Sequence, residues 1–145
     1  MTQQIPDPDT LEFALNLLAH EGRDEHAADS PVVFRVTEKL RHPLSRLAGT
    51  AGFRSLLSRA LTLARVQAPS LSVVQINPDG SLGGLDALGD PDEAATAGAM
   101  LVAQLLALLT LFIGNNLVLS LVSDIWPDFE SQNRELRSMD EYDSK

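Results

Sequence analysis

The chain has 145 residues, with 20 Asp and Glu against 11 Lys and Arg. Its formal net charge of −9 opposes nonspecific binding to DNA or RNA, because the protein repels the phosphate groups. It contains no cysteine, which excludes disulfides, thiol catalysis and thiolate zinc sites. This length suits one domain that buries a core without crosslinks, and the polar N-terminal stretch lacks the features of a secretory signal, so we expect a cytoplasmic protein.

The positive charges are concentrated in one block of the sequence. Residues 31–66 contain seven Lys and Arg and a single acid, whereas residues 1–30 contain seven acids and one Arg. Residues 67–145 are acidic again, with twelve Asp and Glu against three Lys and Arg. We therefore expect the central basic block to contact the protein's own acids or an acidic partner.

Two helices are predicted in the first third of the chain. The first begins at Asp9, whose carboxylate can accept hydrogen bonds from the first turn, and ends at Gly22. The second begins with a serine cap and a proline at residues 30–31, where the missing N–H of proline costs nothing. We expect it to end near Arg41, because Pro43 follows.

A third helix is predicted to be amphipathic and to end at Pro69. It follows a short turn over residues 44–47 and opens at residues 49–52, which contain two glycines. Backbone N–H groups at such a start can bind an anion, but the segment lacks the Lys-Ser/Thr ending of a nucleotide-binding loop. A capped helix start is the favoured interpretation.

A small β-hairpin is predicted near residues 71–84. Residues 71–76 are rich in β-branched side chains, and the turn sequence 77–80 is Asn-Pro-Asp-Gly. Residues 75–86 also overlap partly with a calcium-binding loop, but Gln75 would be the first ligand and Asp86 would replace the usual glutamate. We favour the hairpin, whose apolar side must then lie against helices.

The thirty residues from 94 to 123 contain no formal charge, and they dominate the architecture. A helix is predicted over about 91–113, interrupted at Gly114, and a shorter helix over 117–126. The longer helix could span a bilayer by length, but it has no basic anchors at its ends and contains polar residues such as Gln104. It also has a stripe of small residues and a stripe of bulky ones, which suits a helical core, so we favour the centre of a bundle.

The predicted fold is therefore mainly α: a four- to five-helix, bundle-like domain around the hydrophobic helix at about 91–113, with the hairpin near 71–84. Residues 1–127 form the single domain. Residues 128–145 are expected to form a polar, partly disordered C-terminal tail.

The arginine-rich side of the third helix is the best candidate for a partner-binding surface. Arginine suits carboxylate and phosphate recognition, although a solvated surface is the plainer interpretation. A tryptophan before Pro127 is a second candidate contact, unless it merely covers the core. The predicted partner-binding residues are Arg54, Ser58, Arg59, Thr62, Arg65 and Trp126.

No catalytic, metal or cofactor site is predicted from the remaining residues. His20, His26 and His42 are far apart in the sequence and have no second ligand at helical spacing. The serines lack the sequence context of an activated nucleophile.

These features predict a non-enzymatic adaptor or regulatory protein-protein interaction module that docks acidic partners through the arginine-rich helix face, as a homodimer without nucleic acid. Two other classes remain open. One is a small membrane-associated protein anchored by residues 94–113, and the other is a small ligand- or anion-binding domain.

Overall fold

A computed structural model describes residues 8–22, 32–84, 87 and 91–127. Within these ranges the chain is mainly helical, with one small antiparallel sheet, which confirms the predicted fold class. The elements in chain order are α1 (Pro8–Gly22), α2 (Val32–Gln67), a 3-10 helix (Pro69–Val73), β1 (Gln75–Ile76), β2 (Leu82–Gly83), α3 (Pro91–Ile113) and α4 (Asn115–Ile125). The C-terminal tail predicted at 128–145 lies outside the described residues.

Helix α2 does not end before Pro43, so the prediction of a stop near Arg41 was wrong. A proline inside a helix removes one backbone hydrogen bond, but Leu40 and Leu44 on either side of it are buried in the core. Burial of both leucines favours continuation of the helix. The chain breaks instead at Gly49, where φ is 80° and ψ is 162°, so that α2 consists of two halves, residues 32–48 and 50–67.

Helix α3 packs against α1, α2, α4 and the 3-10 helix. Residues 101–106 are all buried, and at Gly98 an added Cβ would lie 3.0 Å from the Cβ of Val33. The small residue thus allows the α2 and α3 backbones to approach closely. The last turn of α3 is not covered in the same way, because Leu111 and Phe112 are 85% and 67% exposed.

The membrane alternative rests on the same helix. Residues Asp92–Ile113 have a mean hydropathy of 2.1 and are long enough to cross a bilayer, and 56% of the most apolar window is buried inside the fold. Three neighbouring helices cover the buried side of α3, as expected for the central helix of a bundle.

The predicted hairpin is present but shorter than expected. Residues 71–73 belong to the 3-10 helix instead of a strand, and the sheet pairs Gln75 with Gly83 and Ile76 with Leu82. The apolar side of this region lies in the core, since Leu71, Val74 and Leu82 are buried.

The turn of the hairpin satisfies its own polar groups. The Gly80 N–H donates to the Asn77 carbonyl at 2.9 Å, and the Asp79 carboxylate accepts hydrogen bonds from the Ser81 N–H and hydroxyl at 3.0 and 2.6 Å. These contacts are those of a β-turn.

Asp86, the last ligand of the calcium alternative, lies outside the described residues, and no cluster of three metal-ligating side chains occurs in the described ranges.

Candidate functional site

The second half of α2 exposes the arginine-rich surface that the sequence indicated. Phe53, Leu57 and Ala60 are fully buried on one side of the helix, which directs the polar residues of the intervening positions outward. We call the outward surface the arginine face. It consists of Arg54, Ser58, Arg59 and Thr62, which are exposed, and Arg65, which is half-buried.

A shallow depression of about 300 Å³ lies between this helix and the hairpin. Its polar lining consists of two guanidinium groups, one hydroxyl and one amide, and its apolar lining of one leucine and one isoleucine. The lining residues are Arg54, Ser58, Leu61, Arg65, Gln75 and Ile76. The depression contains no acidic side chain and therefore favours an anionic group.

The sequence indicated only the helical part of this site. Gln75 and Ile76 come from β1, and their place beside α2 depends on how the hairpin docks. Arg59 and Thr62 are exposed on the same helix but do not line the depression. His42 is exposed and does not line it either.

The arginines of the arginine face have different roles. Arg65 donates from Nε to the Leu71 carbonyl at 3.3 Å and from Nη2 to the Val74 carbonyl at 2.7 Å. Arg65 thus holds the segment before β1 onto α2. Arg54 and Arg59, by contrast, are exposed and form no salt bridge with any described residue.

Replacement of Arg65 by Met should destabilise the fold by about 1–2 kcal/mol, because two partly buried carbonyl groups lose a charged donor. Arg54→Met is the matched control and should change the free energy of unfolding by less than about 0.5 kcal/mol, as expected for an exposed side chain. Urea unfolding followed by circular dichroism measures both values. Equal effects of the two substitutions would contradict the structural role of Arg65.

Trp126 does not contribute to the arginine face. Its side chain is 4% exposed, and its indole N–H donates to the Glu21 carboxylate at 2.9 Å. The tryptophan therefore covers the core and is not available as a surface contact. This corrects the prediction that placed it among the partner-binding residues.

A scan against protein-family models, a search of curated proteins and a search of solved structures found no match to this chain. Function is accordingly inferred from the geometry of the protein itself.

Glu21 is the centre of a buried polar cluster that the sequence did not indicate. Its carboxylate accepts from Arg35 Nε at 3.1 Å and from Lys39 Nζ at 2.8 Å, in addition to Trp126, and Arg35 Nη2 donates to the Glu21 carbonyl at 2.9 Å. We call these four residues the Glu21 cluster. It ties the end of α1 to α2 and to the residue that follows α4.

The cluster also sets the protonation state of the glutamate. Burial alone would raise the pKa of Glu21, but hydrogen bonds from Lys39, Trp126 and Arg35 outweigh burial and lower the pKa below its ordinary value. The carboxylate is thus ionised at neutral pH, with donors on both oxygens. Such a group stabilises the fold and is poorly suited to proton transfer.

Arg41 forms an ion pair within α2 and a hydrogen bond to the hairpin. Arg41 binds Glu38 on the same helix at 2.7 Å, and its Nη1 donates to the Asp79 carbonyl at 3.3 Å. Both side chains of the pair are partly exposed, so solvent weakens the interaction. The break in α2 at Gly49 belongs to the segment 49–52, which the sequence indicated as the start of a helix.

Proposed function

We propose that this protein is a non-enzymatic adaptor or regulatory module that binds an acidic segment of a partner protein through the arginine face of α2. The exposure and the ion pairing of Arg54 and Arg59 support the proposal most directly. Both are exposed, and neither has an ion pair within the part of the chain that the structure describes.

The charge distribution supports an acidic partner. The chain as a whole carries −9, yet seven of its 11 basic residues lie in residues 31–66, which form most of α2. Guanidinium groups bind carboxylates through two parallel hydrogen bonds, which gives both affinity and orientation. Because each exposed pair contributes only about 0–1 kcal/mol, several contacts along the helix are required.

The depression favours binding over catalysis. Ser58 is the only hydroxyl among its lining residues, and these include no histidine or carboxylate that could accept the serine proton. The remaining polar groups are donors suited to holding an anion. A carboxylate of the partner would accept hydrogen bonds from Arg54, since Arg65 already donates to backbone carbonyls.

The test is affinity capture with the tagged full chain, followed by quantitative identification of bound proteins. The double variant Arg54→Glu/Arg59→Glu should lose the specific partner, with affinity reduced at least about tenfold, which corresponds to 1.4 kcal/mol. The control is Arg46→Glu, which reverses an exposed charge in the other half of α2. Binding of the identified partner should also weaken as salt increases.

Retention of the partner by the double variant would contradict the proposal. Equal loss with Arg46→Glu would contradict it too, because general electrostatic attraction would then explain binding. Circular dichroism of each variant establishes that the fold is retained.

The depression also supports a second candidate, a small-anion-binding domain. Its volume of about 300 Å³ lies at the lower end of the range for ligand sites, and its polar lining residues are Arg54, Ser58, Arg65 and Gln75. Calorimetric titration with small phosphate and carboxylate anions separates the two candidates. Saturable binding that Arg54→Met removes, without any captured protein, would favour the small ligand.

A further inference from the structure

The depression beside the arginine face combines one available cation with a neutral, partly apolar lining. Arg65 already donates to two backbone carbonyls, whereas Arg54 is exposed and forms no salt bridge with a described residue. A matching occupant therefore places a carboxylate at Arg54, next to a side chain that is largely apolar and can also form a hydrogen bond. The uncharged lining residues are Ser58, Leu61, Gln75 and Ile76.

The C-terminal tail, residues 128–145, contains a segment with this combination. Residues 140–143 have the sequence Asp-Glu-Tyr-Asp, which sets three acids around the only tyrosine of the chain. A tyrosine ring packs against aliphatic side chains while its hydroxyl bonds to polar neighbours. The nearest bases, Arg137 and Lys145, lie outside this group. We call residues 140–143 the acidic tail motif.

We propose that the acidic tail motif binds the arginine face of its own chain, with a carboxylate at Arg54 and Tyr142 against the apolar lining of the depression. This contact rests on the proposed function, because a surface that binds an acidic segment of a partner also binds one that the same chain supplies. The tail is then an internal competitor that regulates how much partner is bound.

The tail is long enough to make this contact. Trp126, the last residue of the bundle before Pro127, donates to Glu21 at 2.9 Å, and Lys39 donates to the same carboxylate at 2.8 Å. From Lys39 to Arg54 is 15 residues, or about 23 Å along α2. The 14 residues from Trp126 to the start of the acidic tail motif extend to about 46 Å, twice that length.

The other acidic segments outside the described ranges match less well. In residues 23–31, each acid is at most three residues from Gly22 or Val32, so its backbone reaches roughly 10 Å from these helix ends. Gly49, where the second half of α2 begins, is about 25 Å of helix beyond Val32. A single acid and no aromatic side chain occur in each of the segments 1–7, 85–86 and 88–90.

The attachment of the tail to the fold makes even a weak contact effective. A segment tethered by a short linker has an effective concentration of the order of mM at its site. If the acidic tail motif binds with a dissociation constant of about 0.1 mM, an effective concentration of about 1 mM weakens partner binding roughly tenfold. A partner therefore displaces the tail by adding contacts along α2, for example with Arg59.

The first test locates the tail by paramagnetic broadening of nuclear magnetic resonance signals. The full chain has no cysteine, so Ser144→Cys provides a unique site for a nitroxide label next to the acidic tail motif. Backbone amide signals of residues 54–62 and 75–76 should broaden at low salt. The broadening should be lost when the motif is neutralised by Asp140→Asn, Glu141→Gln and Asp143→Asn.

The matched control neutralises three acids that precede the acidic tail motif, so the net charge changes equally. Two of these acids flank Phe129, which has no hydroxyl, and the control thereby also tests that nearer group. Broadening at the arginine face should persist in the control. Its substitutions are Asp128→Asn, Glu130→Gln and Glu135→Gln.

The second test measures competition, with a fluorescent synthetic peptide of residues 138–145 as the probe. Fluorescence anisotropy should show that the full chain with the neutralised motif binds this peptide roughly tenfold more tightly than the wild type, since its own tail no longer competes. The control with the three preceding acids neutralised should match the wild type. Arg54→Glu/Arg59→Glu should lose the peptide.

Several results would overturn the proposal. They are an absence of broadening at the arginine face, equal peptide affinity for the wild type and the neutralised motif, and equal effects of the two sets of substitutions. Equal broadening in a mixture of spin-labelled chain and unlabelled isotope-enriched chain would overturn it too, because a second copy would then supply the motif. A captured partner without tail contact contradicts this proposal alone, and tail contact without any captured partner contradicts only the adaptor function.

Discussion

Replacement of Glu21 by Ala is expected to lower the free energy of unfolding by about 3–5 kcal/mol, the range measured when one partner of a buried ion pair is removed. Glu21 is 2% exposed and Arg35 is 9% exposed, so the substitution removes a carboxylate that a buried guanidinium contacts. The indole N–H of Trp126 loses its acceptor as well. Urea unfolding at neutral pH, followed by circular dichroism and tryptophan fluorescence, measures the loss.

The matched control is Glu38→Ala, which removes the carboxylate that pairs with Arg41. Both members of that pair are partly exposed, so the cost should not exceed about 1 kcal/mol. Equal losses of unfolding free energy for Glu21→Ala and Glu38→Ala would show that burial does not strengthen the ion pairs of the Glu21 cluster.

The pH dependence of stability provides a second measurement of the same cluster. The pKa of Glu21 is lower in the folded chain than its ordinary value, so its stabilisation is complete above the ordinary pKa and is lost as pH falls through the folded pKa. The difference in stability between wild type and Glu21→Gln should therefore shrink as pH is lowered from about 5 toward 3. A difference that stays constant over that range would contradict the assigned direction.

Replacement of Leu105 by Ala in α3 is expected to cost about 2–5 kcal/mol, the usual range for a fully buried leucine. Leu105 is 0% exposed, and the truncation would leave a cavity among the helices that surround α3. Leu111→Ala is the matched control on the same helix. Because Leu111 is 85% exposed, that substitution should cost less than about 0.5 kcal/mol at a concentration at which the chain is monomeric.

The contrast between these two leucines also tests the role of α3. If the chain surrounds α3 with its own helices, the loss of unfolding free energy should be large for the buried Leu105 and small for the exposed Leu111. If α3 spans a bilayer, both leucines face an apolar environment, and purification should require detergent. Similar effects at Leu105 and Leu111 would therefore favour the membrane alternative.

The fold was largely predictable because its helices have strong local signals. Gly22, Gly114 and Pro127 mark helix ends in both sequence and structure, and the apolar spacing before Pro69 required a helix. The error at Pro43 has a tertiary cause, since burial of the leucines around it outweighs the local effect of proline. The exposure of Phe112 likewise depends on where the neighbouring helices end.

The site was only partly predictable for a related reason. Helical spacing indicates that Arg54, Ser58 and Arg65 share one side, but it cannot show that Arg65 binds carbonyl groups of the next segment. The Glu21 cluster joins residues 105 positions apart, Glu21 and Trp126, and only the packed helices bring them together. The four-residue spacing of Arg35 and Lys39 was the one local signal that could have suggested a shared acidic partner.

The break at Gly49 divides α2 into two rods, and the hairpin turn bridges them. An added Cβ on Gly80 would lie 3.1 Å from Phe53 in the second half of α2 and 3.4 Å from Arg41 in the first, so the turn rests on both. A glycine alone imposes no particular direction on the bend, so contacts from outside the helix, with α3 and with this turn, hold the two halves in place. The arginine face lies on the second half of α2, so its orientation relative to the first half depends in part on contacts that the hairpin turn provides.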